Sequence, residues 1–201
     1  IYQYLIKDVP STISYFIPDY LNYNKRILFF LLEKGFVKPD ETFINQYLLS
    51  KPVNGEELNT SQAYYYYLYP KMKEFLDKTL QKQIEDEIFQ KYSEKISTFT
   101  EKCQIGENDS HICSLIRSDS VEEFIAYVNR TNLSLKTKIK PSIYETHSFL
   151  INKEPTLIEY ATFFGSIQII QYLKYNNVQL TPYLWLYAVH SNNAELIHFL
   201  E

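Results

Sequence analysis

Apolar residues recur along this chain at spacings of three and four, and most such stretches are closed by a Gly, Asn or Pro that ends a helix. Residues 1–22 are apolar and aromatic, broken by Pro10 and Pro18, and predict short helices with turns between them. From Tyr23 to Gly35 the run Ile27-Leu28-Phe29-Phe30-Leu31-Leu32 predicts a buried helix with a glycine stop. Pro39-Asp40-Glu41 opens another, with acids at its positive end and Phe43, Ile44, Tyr47 and Leu48 as its apolar stripe. Residues 50–62, which include Pro52 and Gly55, are polar and predict a loop. The run Ala63-Tyr64-Tyr65-Tyr66-Tyr67-Leu68-Tyr69-Pro70 fits two readings, since tyrosine favours strands and the surroundings are helical.

The strongest helical signal spans Lys71 to Lys102. Met72, Phe75, Leu76, Leu80, Ile84, Ile88, Phe89, Tyr92, Ile96 and Phe99 form its stripe, and charges of both signs fill the other face, with pairs such as Glu74 to Lys78 and Glu87 to Lys91. This predicts one long helix or two abutting ones. The stripe is wider than a strict heptad seam, which favours packing on its own domain over a coiled coil with a second copy. A break at Gln104–Ser110, containing Gly106, precedes a unit over 111–135, in which Ser120 fits an N-cap and Glu122 and Glu123 suit the positive end of the helix that follows. Residues 129–155 form a long connection with Pro141 and Pro155.

One pattern then occurs twice. Thr156-Leu157-Ile158-Glu159-Tyr160-Ala161-Thr162-Phe163-Phe164-Gly165 leads into Ser166-Ile167-Gln168-Ile169-Ile170-Gln171-Tyr172-Leu173. Tyr183-Leu184-Trp185-Leu186-Tyr187-Ala188-Val189-His190-Ser191-Asn192 leads into Asn193-Ala194-Glu195-Leu196-Ile197-His198-Phe199-Leu200. Each predicts a short apolar helix with a small residue in its middle, a Gly or Asn stop, and a second amphipathic helix. Val121, Phe124 and Tyr127 register with Ile167, Ile170 and Leu173, and these with Ala194, Ile197 and Leu200, at unit spacings of 46 and 27. A stack tolerates such uneven connections, because doubling a loop costs only about 0.6 kcal/mol. No single pair covers its own apolar face, so neighbours are expected to stack.

These residues resemble the ankyrin repeat, whose first helix opens on T-P-L-H-x-A-A-x-x-G. Thr156, Ile158, Ala161 and Gly165 match that pattern, and Leu157, Glu159 and Thr162 depart from it. Trp185, Ala188 and Val189 match loosely, with Asn192 in the glycine place. Ile169-Ile170-Gln171-Tyr172-Leu173 is similar to the second-helix pattern I-V-x-L-L, with Asn177 at the following glycine position, and Ile27 to Phe36 looks like the same helix and turn. Against the family's period of about 33 residues, the spacing of 27 leaves little room for the usual β-hairpin finger, and Thr181-Pro182 is placed to open the next helix directly. From Tyr64 to Glu201 the chain also resembles a divergent, uncharacterised domain at the head of ankyrin-repeat proteins expanded in a parasitic protist lineage, through segments such as Gln104-Ile105-Gly106-Glu107-Asn108-Asp109 and Leu184-Trp185-Leu186-Tyr187-Ala188. The resemblance implies an α-solenoid and a protein-binding role, and no catalytic residues.

Composition narrows this further. The 201 residues are 45% hydrophobic and 22% charged, enough to bury a core. A net charge of −4 supplies no basic field for nucleic acid and no polybasic membrane patch. Four glycines argue against phosphate-cradling loops. Two cysteines, Cys103 and Cys113, do not make a disulfide scaffold and are expected to be free thiols. The chain begins at Ile1 and ends mid-pattern at Glu201, so it reads as a fragment with further helix pairs expected beyond; no signal-peptide pattern or membrane-length apolar run is present, which suggests the cytoplasm.

Candidate chemistry is sparse. His111, His147, His190 and His198 have no metal-ligand spacing, and nothing local pairs Cys103 with a base. Glu85-Asp86-Glu87 sits on the polar face of a helix, where carboxylates are solvated rather than split in pKa. The Tyr64 to Tyr69 run lacks the basic neighbours that nucleic-acid stacking needs. Asn59, Asn108, Asn129 and Asn132 begin glycosylation-type triplets, unremarked in so polar a composition. Phe163, Phe164 and Tyr183 fit either partner anchors or stacking between repeats.

The expected molecule is all-α: an N-terminal helical region over 1–70, a long amphipathic helix over 71–102, and ankyrin-like stacked helix pairs over 103–201. Its expected role is non-enzymatic protein binding, without cofactor or metal. The alternative is a capping or oligomerisation module, with residues 1–102 closing the solenoid end and pairing with another copy. The sequence assigns no protein-binding residue and no partner.

Overall fold

A computed structural model describes residues 24–44, 60–151 and 153–201. Every regular element among them is helical, and no helix is long and apolar enough to cross a membrane. The expectations for residues 1–22 and for Tyr47 and Leu48 lie outside the described residues. The described residues fall into two compact units: those up to Glu107 together with Thr146–Ser148, and those of 108–145 together with 149–201.

In the first unit, α1 (Lys25–Glu33) starts at Asn24, whose side chain accepts the Ile27 N–H at 3.1 Å. The short α2 (Glu41–Ile44) is held at its start by Asp40, which accepts the Phe43 N–H at 2.8 Å. The tyrosine run resolves as helix, α3 (Thr60–Met72), which also takes in Thr60 to Gln62 from the end of the expected loop. Its core face decides this: Tyr67, Leu68, Tyr69 and Met72 are buried, and helical spacing lets Tyr67 meet the Phe29 ring at 5.4 Å while its hydroxyl donates to the Cys103 carbonyl at 2.7 Å. A strand would send Tyr67 and Leu68 to opposite faces.

The stripe from Lys71 to Lys102 is divided among several elements rather than being one continuous helix. Pro70 removes a donor from the last turn of α3. A 3₁₀ turn follows at Lys73–Phe75, and Leu76 is extended. The Gln81 amide then donates to the Lys73 and Leu76 carbonyls at 2.9 and 2.8 Å, satisfying the backbone the break exposes. Asp77 caps α4 (Lys78–Tyr92) by accepting the Thr79 and Leu80 N–H groups. Ser93, at φ 56°, ends α4, and α5 (Ile96–Ile105) ends at Gly106, at φ 73°. Ile84, Ile88, Phe99 and Cys103 carry the buried stripe across both helices, so the three-and-four spacing survives the interruption.

The second unit holds three helix pairs. They are α6 (His111–Arg117) with α7 (Val121–Thr131), α8 (Leu157–Phe164) with α9 (Ile167–Tyr175), and α10 (Leu184–Ser191) with α11 (Ala194–Leu200). Helix α8 packs against both α6 and α10, and α9 packs against α7. One core runs through all three pairs, built from residues such as Leu115, Ile116, Phe124, Ala161, Ile170, Leu173, Leu184, Ala188 and Leu196. The small residue in the middle of α8 and of α10, Ala161 and Ala188, is almost fully buried, which lets helix axes approach closely.

Each pair turns the same way. Asp119, Gly165 and Asn192 take left-handed backbone at φ 49°, 72° and 51°. In the first two pairs the residue after the turn donates back five positions, Ser120 to Leu115 at 3.1 Å and Ser166 to Ala161 at 2.9 Å, whereas in the third the Asn193 N–H donates to Ser191 Oγ at 3.2 Å. Second helices close similarly, with Asn132 and Asn177 left-handed and Leu133 and Val178 donating to Val128 and Leu173. The spacing of 46 between the first two turns is absorbed by an excursion pinned at its neck, where the Ile139 N–H donates to the Pro155 carbonyl at 2.8 Å and Lys138 bridges Thr156. The shorter connection enters α10 through i to i+3 bonds from Leu184 to Thr181 and from Trp185 to Pro182.

Candidate functional site

Hydrogen bonds tie one pair to the next at the turns. The Asp119 carboxylate, in the first turn, accepts the Gln168 and Ile169 N–H groups at 3.1 and 3.0 Å, and so caps α9 of the second pair. Ser166 Oγ donates back to the Ile116 carbonyl at 2.6 Å, and Asn193 Nδ2 donates to the Gly165 carbonyl at 3.3 Å. Ser166 and Asn193, the N-cap residues of α9 and α11, thus each reach the preceding pair. Ser120, expected as a capping side chain, occupies the N-cap position of α7, but its hydroxyl bonds Ser118 Oγ at 2.8 Å rather than the helix. Glu159, a departure from the ankyrin pattern, completes a capping box: its carboxylate accepts the Thr156 N–H at 2.7 Å while Thr156 Oγ1 accepts the Glu159 N–H.

Aligning the turns aligns the first helices. Ile112 and Ile116 on α6, Ile158 and Thr162 on α8, and Trp185 and Val189 on α10 then occupy the same two places, one turn apart. On α8 these places are 4% and 0% exposed; on α10 they are 37% and 67% exposed. Leu186 and Tyr183 beside them are 54% and 70% exposed. The inner face of α10 is occupied: Leu184 and Ala188 are buried, Tyr187 meets the Phe149 ring at 5.0 Å, and His190 lies 4.4 and 5.0 Å from the Phe149 and Phe163 rings. Helix α10 contains no Asp, Glu, Lys or Arg. Its outer face is therefore apolar and uncharged.

The anchor candidates separate here. Phe163 is buried with its ring 5.0 Å from His190 of the next pair, so stacking between pairs accounts for it; Phe164 is half-buried against Tyr160 and Phe163 of its own helix, and Tyr183 remains exposed. The sequence assigns no site role to Trp185, Leu186 or Val189. The signal for them is the register comparison with Ile158 and Thr162, which acquires meaning only once the neighbour that buries each place is known.

Several titratable residues have structural partners. Cys113, Arg117 and Tyr160 share a buried cluster in which Arg117 donates to the Asn108 carbonyl and to the Tyr160 hydroxyl, both at 2.9 Å. Burial pushes the Tyr160 phenol and the Cys113 thiol up. The cavity beside this cluster, lined in part by Asn108, Glu145, Leu150 and Tyr160, measures about 10 Å³, room for one water at most. Cys103 is also a free, buried thiol pushed up by burial. Glu85 accepts from Lys73 Nζ at 2.6 Å and Tyr69 at 2.8 Å, and the Lys73 hydrogen bond leads in holding its carboxyl below the usual range. Glu87 accepts the Tyr66 hydroxyl at 3.2 Å. His111 packs edge-on against Tyr127, and His198 faces Glu201. Asn108 is buried and its amide donates to the Lys140 carbonyl, so the folded chain offers no acceptor there. Among the described residues no group of His, Cys, Asp and Glu has the geometry of a metal site.

No family model, no curated protein and no solved structure matches this chain.

Proposed function

We propose that this chain is a non-enzymatic protein-binding scaffold of divergent ankyrin-repeat type, and that the outer face of α10 is its contact surface. The observation that carries the reading is the register comparison: Trp185 and Val189 are exposed at the places that are buried on α8, the helix against which α10 packs. Exposed apolar side chains rimmed by polar residues mark interaction sites, and tryptophan is among the residues that anchor them. The stack supports the reading in a second way. Turn-to-turn hydrogen bonds hold the face on paired helices rather than on a loop, which limits the ordering cost of binding. The structural partners of the cysteines, histidines and acid run favour binding over catalysis.

The test is affinity capture with the full chain and with a Leu186→Glu/Val189→Glu variant, followed by binding measurements with each purified partner. Both substituted side chains are largely exposed, so the fold is expected to tolerate the change. The reading requires a partner whose affinity falls on substitution while helical content and melting temperature stay unchanged. Partners that bind both forms equally, or no partner at all, would refute it.

A further inference from the structure

We propose that the lysine-bearing edge at Lys136, Lys138 and Lys140 is a second docking surface, and that it takes an extended acidic segment of a partner protein. The connection between the first two helix pairs runs antiparallel to Pro155 and Thr156 here, with Lys138 opposite Thr156 and the Ile139 N–H donating to the Pro155 carbonyl at 2.8 Å. Burial alternates along it: Ile139 is buried and Thr137 half-buried, whereas Lys136, Lys138 and Lys140 are exposed. That alternation is the period of extended backbone, so the three lysines leave from one face at steps of about 7 Å. Among the described residues no carboxylate pairs with any of them. On the facing segment Lys153 and Glu154 offset each other, so the edge keeps its positive sign.

The pairing also leaves main-chain groups for a ligand. Because the Ile139 to Pro155 bond lies one residue past the Lys138–Thr156 bridge, that bridge is a non-hydrogen-bonded pair, whose N–H and C=O groups point away from each other. Lys138 therefore turns its N–H and C=O outward, and neither has a partner among the described residues. The edge closes at Lys140, whose carbonyl accepts the Asn108 amide at 3.0 Å. A short extended segment can pair with Lys138 while its alternate side chains meet the lysines; in this mode main-chain bonds hold the strand and side chains select it. Opposite charges facing each other across strands stabilise, and like charges repel. The row thus rejects a second copy of the same edge and accepts carboxylates at alternate positions. A nucleic-acid strand fits less well, since no aromatic residue lies between Val128 and Ile143 for bases to stack on.

The experiment is fluorescence anisotropy of a dye-labelled peptide alternating Glu and Thr, titrated with the full chain at low and at physiological salt. The expected result is binding that weakens as salt rises, and that falls at least about tenfold when Gln replaces Glu in the peptide. Lys136→Glu/Lys138→Glu is expected to weaken it by at least as much with an unchanged melting temperature, because both side chains are exposed. Lys136→Gln/Lys138→Gln gives a milder second variant with a smaller loss. Lys78→Glu/Lys82→Glu makes the same charge change at exposed positions of α4 and is expected to leave binding as it was. So is Leu186→Glu/Val189→Glu, since this surface is independent of the α10 face. The Lys138 amide resonance is expected to move when the peptide binds. A chain that ignores the Glu peptide or binds the Gln peptide equally well overturns the proposal. So does binding that either control variant reduces as much, that leaves the Lys138 amide unmoved, or that an oligothymidylate of equal charge exceeds.

Discussion

Replacing Asp119 probes the joint between the first two helix pairs. Its carboxylate accepts two N–H groups at the start of α9 while its own backbone sits left-handed at φ 49°. Alanine removes both hydrogen bonds, a capping loss of about 1 kcal/mol or more. It also removes a negative charge from the positive end of a helix, about 0.5 kcal/mol. Finally it places a Cβ without polar compensation in left-handed backbone, about 1 kcal/mol. The sum for Asp119→Ala is about 2–3 kcal/mol. Asparagine keeps one acceptor and tolerates the backbone, so Asp119→Asn is expected to cost about 1 kcal/mol. Asp119→Gly loses the cap and relieves the backbone, and should fall between the two. The assay is urea unfolding followed by Trp185 emission, which reports on the second unit, with free energies taken from midpoints at a common slope. An alanine variant within about 0.5 kcal/mol of the parent, or asparagine as damaging as alanine, would show that Asp119 does not cap α9.

Other consequences are open to direct measurement. Gly165 and Gly35 are both left-handed, but a Cβ on Gly165 would meet Asn193 and Ser191 at 3.2 to 3.3 Å, whereas one on Gly35 would meet nothing within 4 Å. Gly35→Ala is therefore expected to cost about 1 kcal/mol and Gly165→Ala about 2–3 kcal/mol in urea unfolding, and equal losses would contradict the turn-to-turn contact. Burial, with help from Glu87, holds the Tyr66 phenol up to about 12, and burial also raises Tyr92 and Tyr160. Because the unfolded chain ionises these tyrosines first, it binds fewer protons above their ordinary value of 10.0. Stability from these groups is thus complete below that pH and falls as pH rises through the folded values; a urea midpoint that holds steady well above pH 10 would count against their burial. Cys103 and Cys113 should resist an aromatic disulfide reagent at pH 8 in the native chain and both react in denaturant, and prompt native labelling of either would contradict its burial.

The helix pairs were legible because their signals are local. Spacings of three and four, a small residue in mid-helix and a Gly or Asn stop all act within one turn or two, and the structure places helices where those signals lie. The division at Asp77 and Ser93 was harder to read, since the buried stripe from Leu76 to Phe99 continues through it while the backbone departs from helix at Leu76 and Asp77 and again at Ser93 and Lys95. The tyrosine run was ambiguous because what makes it helical is non-local: Phe29 on one side and the Cys103 carbonyl on the other. Asp119 illustrates the same limit. Its position after a helix suggests a turn residue, while its partners at Gln168 and Ile169 lie far along the chain. The exposed face on α10 was least legible of all. Trp185 and Val189 follow the periodicity of core residues, and only the position of neighbouring helices distinguishes a core place from a surface one.

Nuclear Overhauser contacts between aromatic rings test the stack most directly, because three of its ring contacts join residues distant in sequence. Cross-peaks are expected between Phe124 and Tyr172, with ring centres 6.0 Å apart, between Phe149 and Tyr187, at 5.0 Å, and between Phe163 and His190, at 5.0 Å. Helical chemical shifts for all six helices of the second unit without these cross-peaks would mean that the helix pairs form but do not stack.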